Sequence, residues 1–208
     1  MNSSDDTIDQ ERIILTDCDG VLLNWRRWFY KWMDARGYKM VDEDAHFTYQ
    51  QYDFKRSDFL KIQKQFNECA WIRWCPTIRD AMSVVQRLHR KGWRFHVITA
   101  MTLDEPAQTL REQNLLDIFG TAIEEVHFAD LGGSKKHILE RYQGTGYLWV
   151  EDSPRHIETG SELGLTPILM NHYYNEDYRN EHKFDDIIFV NNWSEIENYV
   201  EGEKYNGT

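Results

Sequence analysis

The chain has 208 residues, 41% hydrophobic and 28% charged, a balance that suits one globular core with room for an insertion and excludes a disordered or fibrous polypeptide. With 24 basic against 35 acidic residues the formal charge is −11; such a surface repels polynucleotides but leaves small phosphorylated substrates open, because a bound metal and one lysine reverse the field locally. No apolar run reaches the length of a membrane span and no signal-peptide pattern opens the chain. Cys18, Cys69 and Cys75 show no metal-ligand spacing, and their odd number points to free thiols in a reducing cytoplasm.

Residues 1–10 are polar and read as a disordered N-terminus. Arg12 to Thr16 reads as a buried strand. From Leu23 to Arg36, Trp25, Trp28, Phe29, Trp32 and Met33 recur at helical spacing before Gly37, a suitable stop. Residues 38–54 show no period and read as loop with a helical turn. Ser57 to Ala70 reads as a helix, and so does Thr77 to Lys91, with Ile78, Met82, Val85 and Leu88 on one face. From there strands and helices alternate. Strands are expected over 93–98, 123–128, 147–150, 166–170 and 187–190; helices are expected over 104–117, 134–142, 154–163 and 194–200. This alternation predicts an α/β, Rossmann-like parallel sheet with helices on both faces. The segment 24–75 breaks the alternation. It reads as a small helical cap inserted after the first strand, leaving 11–23 and 76–208 as the core.

In such sheets the functional groups gather where strands end. Directly after the first strand stands Asp17-Cys18-Asp19-Gly20, two carboxylates on a turn that Gly20 permits. The strand 93–98 delivers Thr99 and then Ala100; the loop Gly132-Gly133-Ser134 delivers Lys135 and Lys136; the strand 147–150 delivers Glu151 and Asp152. Carboxylates for a hard cation, one hydroxyl and one lysine for phosphate oxygens make a coherent phosphoryl-transfer set. Only one of the adjacent lysines can face the site, and Leu139, four positions on, favours Lys135. Cys18 fills its place as a small side chain, and His96, His127, His137 and His156 read as packed or surface residues.

These four segments, Leu15 to Val21, Val97-Ile98-Thr99, Gly133 to Lys136 and Val150 to Ser153, match in order and spacing the motifs of the haloacid dehalogenase-like hydrolases, which the chain resembles over about residues 12 to 170. The resemblance implies Asp17 as nucleophile and Asp19 as general acid and base. It implies Thr99, Ala100 and Lys135 as phosphate-binding residues, and Mg²⁺ held by Asp17, the Asp19 backbone carbonyl and Asp152, with Glu151 supporting. The expected activity is phosphomonoester hydrolysis through an aspartyl-phosphate. Within the family the nearest resemblance is to the 5′(3′)-deoxyribonucleotidases, through the compact aromatic cap and the loop Asn171-His172-Tyr173-Tyr174-Asn175. The expected partner is then a small nucleotide, with neither membrane nor polynucleotide. Helically spaced Trp25, Trp28 and Trp32 are expected to pack the cap; off-period Phe47, Tyr49, Trp71 and Trp74 are the expected stacking surface for a planar group. A sugar-phosphate or polynucleotide 3′-end phosphatase, a phosphomutase and a non-catalytic binding protein stay open as alternatives.

Overall fold

Strand β1 (Ile13–Thr16) is buried along its whole length, so both of its faces must be covered by other elements. The computed structural model, which describes residues 12–45, 47–181 and 186–202, shows how. Five further strands, β2 (Arg94–Ala100), β3 (Ile123–Ala129), β4 (Leu148–Glu151), β5 (Thr166–Met170) and β6 (Ile188–Val190), join it in one parallel sheet of order β3-β2-β1-β4-β5-β6. Alternate side chains go to opposite faces. Ile14, Val97, Val150 and Ile168 belong to one core, closed by α4 (Ala81–Arg90), α5 (Glu105–Phe119) and α9 (Trp193–Val200) through Val84, Leu88, Leu115, Trp193 and Ile196. Ile13, Leu15, Ile98, Trp149 and Leu169 belong to the other, closed by α6 (Lys136–Leu139) and α7 (Pro154–Glu162). The expected α/β sheet is therefore present, and the expected disordered N-terminus lies outside the described residues.

Between β1 and α4 the chain makes a helical insertion: α1 (Trp25–Ala35), α2 (Thr48–Gln51), α3 (Arg56–Asn67) and a 3-10 turn, Ala70–Trp74. It has an aromatic core of its own, with Phe29, Trp32, Phe59 and Phe66 all buried. Phe29 stands at the centre of this core, with the rings of Trp25, Trp32, Phe59 and Phe66 each within 5.9 Å of its own. The chain leaves and returns side by side. Asn24 N–H donates to Pro76 O (2.8 Å), Ile78 N–H donates to Leu22 O (2.9 Å), and Leu23 bridges Thr77. This pairing is why α4 begins at Ala81 rather than at the expected Thr77; Arg79, at φ +29°, turns the chain between the two. Met101, just past β2, is buried in the insertion's core, and its carbonyl accepts from Asn67 Nδ2 (3.1 Å).

The segment after β5 holds two elements that were not anticipated. After β5 the chain forms a 3-10 turn, Tyr173–Asn175, and a short helix, α8 (Glu176–Glu181), that buries none of its residues.

Candidate active site

The sheet order reverses between β1 and β4, and in open parallel sheets the crevice for a ligand lies at the carboxyl ends on either side of that point. Asp17 follows β1 there, its N–H donating to Val150 O (2.8 Å), so the β1–β4 pairing extends to the residue that carries the carboxylate. The chain then reverses tightly. Leu22 and Leu23 N–H both donate to Cys18 O, and Gly20 N–H donates to Leu23 O. Gly20 takes φ +88°, and a Cβ there would overlap Asp152 Oδ2. Only glycine lets the turn lie against the end of β4. Ligand oxygens of Asp17, Glu151 and Asp152 consequently lie within 4.8 Å of one another, the one such metal-competent group among the described residues. Lys135 Nζ enters from the start of α6, 2.6 Å from Asp17 Oδ1 and 2.7 Å from Glu151 Oε2, and the side chain is 2% exposed. Lys136 is exposed, so Lys135 is the lysine that reaches the cluster. Thr99 is buried at the end of β2, with Ala100 after it, one strand away from Asp17.

One lysine among three carboxylates leaves an excess of negative charge. Burial works to raise Glu151, but Lys135, His156 (Nδ1 3.3 Å from Oε2) and the backbone N–H groups of Asp152 and Ser153 (3.0 Å each) hold it well below the usual carboxylate range. Glu151 therefore keeps the negative charge. Burial and then the Glu151 charge push Asp17 up, against the pull of Lys135, and burial with both neighbouring charges pushes Asp152 well up. Asp17 and Asp152 are left to compete for a proton or a cation. Hard oxygen donors short of positive charge suit Mg²⁺.

Five further residues complete this neighbourhood; three of them, His172, Tyr174 and Asn175, come from the loop that carries the nucleotidase resemblance, to which the sequence assigned no role at the site. Arg111, wholly buried on α5, sets Nη2 2.9 Å from one carboxylate oxygen of Asp19 and 3.2 Å from the other; its Nη1 is buried with no acceptor. Burial raises the Asp19 carboxyl and Arg111 opposes the rise. Tyr174 donates its hydroxyl to Asp152 Oδ2, and Asn175 Nδ2 donates to Asp152 O (2.9 Å). His172 stacks on Tyr174 (4.9 Å, 8°), and its Nε2 donates to Gly20 O (2.7 Å). His156, read from the sequence as a packed or surface residue, stands on Glu151. The Cys18 and Cys75 thiols are pushed up by burial, Cys75 to about 12, which suits packing rather than reactivity.

Comparison with known proteins bears on the fold. No family model matches the chain. Over 204 residues, 93% of this chain and 71% of the relative, it is 24% identical to an uncharacterized 32.4 kDa protein of Enterobacteria phage T4 from the Gp30-rIII intergenic region. Among solved structures it is similar to a haloacid dehalogenase-like hydrolase of Streptococcus pneumoniae (TM-score 0.62, 12% identity, 92% of this chain and 99% of that one). It is also similar to a D,D-heptose 1,7-bisphosphate phosphatase of B. bronchiseptica complexed with magnesium and phosphate (0.60, 13%, 93% and 99%). A third is a HAD-hydrolase of Bacillus subtilis bound to magnesium (0.61, 14%, 93% and 100%). The chain has a haloacid dehalogenase-like fold.

On the haloacid dehalogenase-like core the structure separates the aromatic candidates into two groups. Trp71 packs on Trp28 (5.1 Å), and with Ala70 and the exposed Trp74 these residues line an open groove of about 400 Å³. Phe47 stacks on Tyr49 (5.6 Å, 13°), which packs against Phe59. Trp28 and Arg26 are two residues apart on α1, about 200° around the helix, so they occupy opposite flanks. Arg26 is on the flank that meets Tyr173 and Tyr174, the side of the carboxylate cluster. Tyr30 shares that flank and donates to Gln51 Oε1 (2.6 Å), which ties it to α2, the helix that begins beside Phe47. The groove of Trp71 and Trp74 is on the other flank.

Proposed function

We propose that the chain is a Mg²⁺-dependent phosphomonoester hydrolase that acts through an aspartyl-phosphate on a small nucleotide, such as a deoxynucleoside monophosphate, in the cytoplasm. The observation that carries this reading is the buried Asp17 carboxylate, paired with Lys135 at the β1–β4 reversal and flanked by Glu151 and Asp152. Haloacid dehalogenase-like relatives that bind magnesium support it. Residues 11–23 and 76–208 serve as the catalytic core, and 24–75 as a cap that selects the leaving group.

Asp17 attacks phosphorus; its carboxylate oxygen bonds to phosphorus as the bond to the leaving oxygen breaks. Asp19 gives that oxygen its proton, then takes one from the water that cleaves the aspartyl-phosphate. Burial brings Asp19 toward the protonated form the first step needs, and Arg111 stabilises the carboxylate left behind. Lys135 and Thr99 hold phosphoryl oxygens. Mg²⁺ would be held by Asp17, Asp152 and the Asp19 backbone carbonyl, with Glu151 supporting, and would neutralise charge on the phosphoryl group. Of the two aromatic groups, Phe47 and Tyr49 serve the planar part of the substrate, since α2 is tied to the flank of α1 that meets the site.

The test is phosphate release with Mg²⁺ across deoxynucleoside and ribonucleoside monophosphates and sugar phosphates, with Asp17→Asn as the blank. Turnover that Asp17→Asn abolishes and chelation stops is the expected result. Substantial release by Asp17→Asn, or a rate indifferent to chelation, would sink the mechanism. Turnover of sugar phosphates alone would remove the nucleotide.

A further inference from the structure

The chain is strongly acidic, yet three arginines whose charges bear on His172 have no carboxylate partner among the described residues. They come from separate parts of the fold. Arg26 is on α1 of the insertion, Arg79 is in the return turn before α4, and Arg179 is on α8. None of the three is neutralised by its contacts; Arg26 Nη1 donates to Tyr30 OH at 3.5 Å. The Arg26 guanidinium lies over the rings of Tyr173 (4.8 Å) and Tyr174 (4.6 Å), a contact that fixes its plane without neutralising its charge. Arg79 sits in the left-handed region at φ +29°, which a non-glycine residue keeps only when its surroundings hold it there, and reaches the Asn191 carbonyl at 3.5 Å. Asn191 is bonded in turn to Asn171, the neighbour of His172. Arg179 has its Nε buried with no acceptor. Burial first, and then the charges of the three arginines, push His172 down from the ordinary imidazole value.

The cluster adjoins the reacting centre. His172 donates to the carbonyl of Gly20, and Tyr174, under Arg26, donates to Asp152. Tyr174 thus touches both, with the Arg26 guanidinium over its ring and an Asp152 carboxylate oxygen at its hydroxyl. Unpaired guanidinium groups with fork-shaped donors are the usual means of recognising a phosphate.

We propose that Arg26, Arg79 and Arg179 form a second anion subsite beside the carboxylate cluster, which takes the non-reacting phosphate of a substrate that carries two. This rests on the hydrolase reading above and narrows its substrate class from monophosphates to bisphosphates, such as a nucleoside 3′,5′-bisphosphate. The arginines make no contact with the transferring group. They hold the other end of the molecule, and the insertion contributes to that grip through Arg26.

The test compares a nucleoside 5′-monophosphate with the corresponding 3′,5′-bisphosphate at constant ionic strength. The wild type is expected to favour the bisphosphate at least tenfold in kcat/KM, through KM. Arg179→Gln and Arg79→Gln are each expected to reduce that preference at least fivefold, and Arg179→Lys to restore part of it. Equal KM for the two substrates in the wild type, or variants that weaken both substrates alike, would overturn the subsite. Calorimetric binding of the bisphosphate to Asp17→Asn, with and without Arg179→Gln, reads the subsite without turnover. A tenfold weaker affinity in the double variant supports it even if no substrate is hydrolysed, the outcome that would sink the hydrolase reading alone. Inorganic phosphate showing the same dependence on Arg179, with no bisphosphate preference, would mean a free-anion site and overturn the proposal.

Discussion

Replacing Arg111 by Met removes one half of a buried ion pair while keeping most of the side-chain volume. Breaking such a pair costs about 3–5 kcal/mol, because a charge is left buried and uncompensated. Two features of this pair lower the figure. The Asp19 side chain is 22% exposed, so water reaches the charge left behind. Arg111 Nη1 has no acceptor, so its loss also removes an unsatisfied donor worth about 1 kcal/mol. A destabilisation of about 2–3 kcal/mol is therefore expected near neutral pH, read by urea unfolding with the slope unchanged. Asp19→Asn leaves the wholly buried guanidinium unpaired and should cost at least as much. The double variant should cost less than the sum by about 1–3 kcal/mol, the coupling of residues in contact. The effect should also grow with pH. Without Arg111 the folded-state pKa of Asp19 climbs further above its unfolded value of about 3.9, and an acid so shifted loses stability as pH rises through that window. A single variant within about 0.5 kcal/mol of wild type, with an additive double, would refute a stabilising Arg111–Asp19 ion pair.

Tyr174→Phe removes the hydroxyl donor to Asp152, and the Mg²⁺ concentration for half-maximal phosphate release should rise about 10–100-fold; an unchanged Mg²⁺ titration would make Tyr174 a packing residue. Gly20→Ala forces a Cβ onto Asp152 Oδ2 at a positive φ, so turnover should collapse and stability fall by more than about 1 kcal/mol. Wild-type-like kinetics in that variant would show that the turn moves freely. Asp80 accepts from Trp193 N–H (3.1 Å), Ser194 N–H (2.9 Å) and Ser194 Oγ (2.6 Å), and these bonds outweigh burial and lower its pKa. Asp80→Ala should cost about 1–2 kcal/mol at neutral pH. That loss should shrink as pH falls below about 4, where Asp80 of the unfolded chain takes up a proton and the folded carboxylate, held lower, does not yet; a pH-independent loss would point to packing instead.

The strands were legible because most are short apolar runs, with β3 mixing Glu124, Glu125 and His127 among its apolar residues, and the ends of β1, β2 and β4 carried their polar residues in plain sight. Lys135 could be chosen over Lys136 from Leu139 alone, and the structure puts Lys135 on Asp17. Arg111 was illegible. It shares the buried face of α5 with Asn114, so that helix has polar residues where an apolar stripe would announce a core face, and its partner Asp19 is far away in the chain. Tyr174 and His172 reach Asp152 and Gly20 only because β5 lies beside β4, a neighbour relation that no local pattern encodes. Helix α8 has no apolar face, so nothing marked it. Trp71 and Trp74 were grouped with Phe47 and Tyr49 because all four fall off the helical period; which flank of α1 each pair occupies depends on helix phase and packing.

Met101 lies two residues past Thr99 with its side chain locked among the rings of the insertion, while Asn67 and Glu68 hold Met101 O and Thr102 Oγ1 from above. The insertion is thus riveted to the end of β2 as well as hinged at Asn24 and Pro76. Swinging it away would pull on the segment that carries Thr99 and would wet a methionine now sealed from solvent. Grafting a different insertion at residues 24 and 75 would accordingly fail unless residue 101 were redesigned with it: the two segments form one mechanical part, though the chain writes them as two.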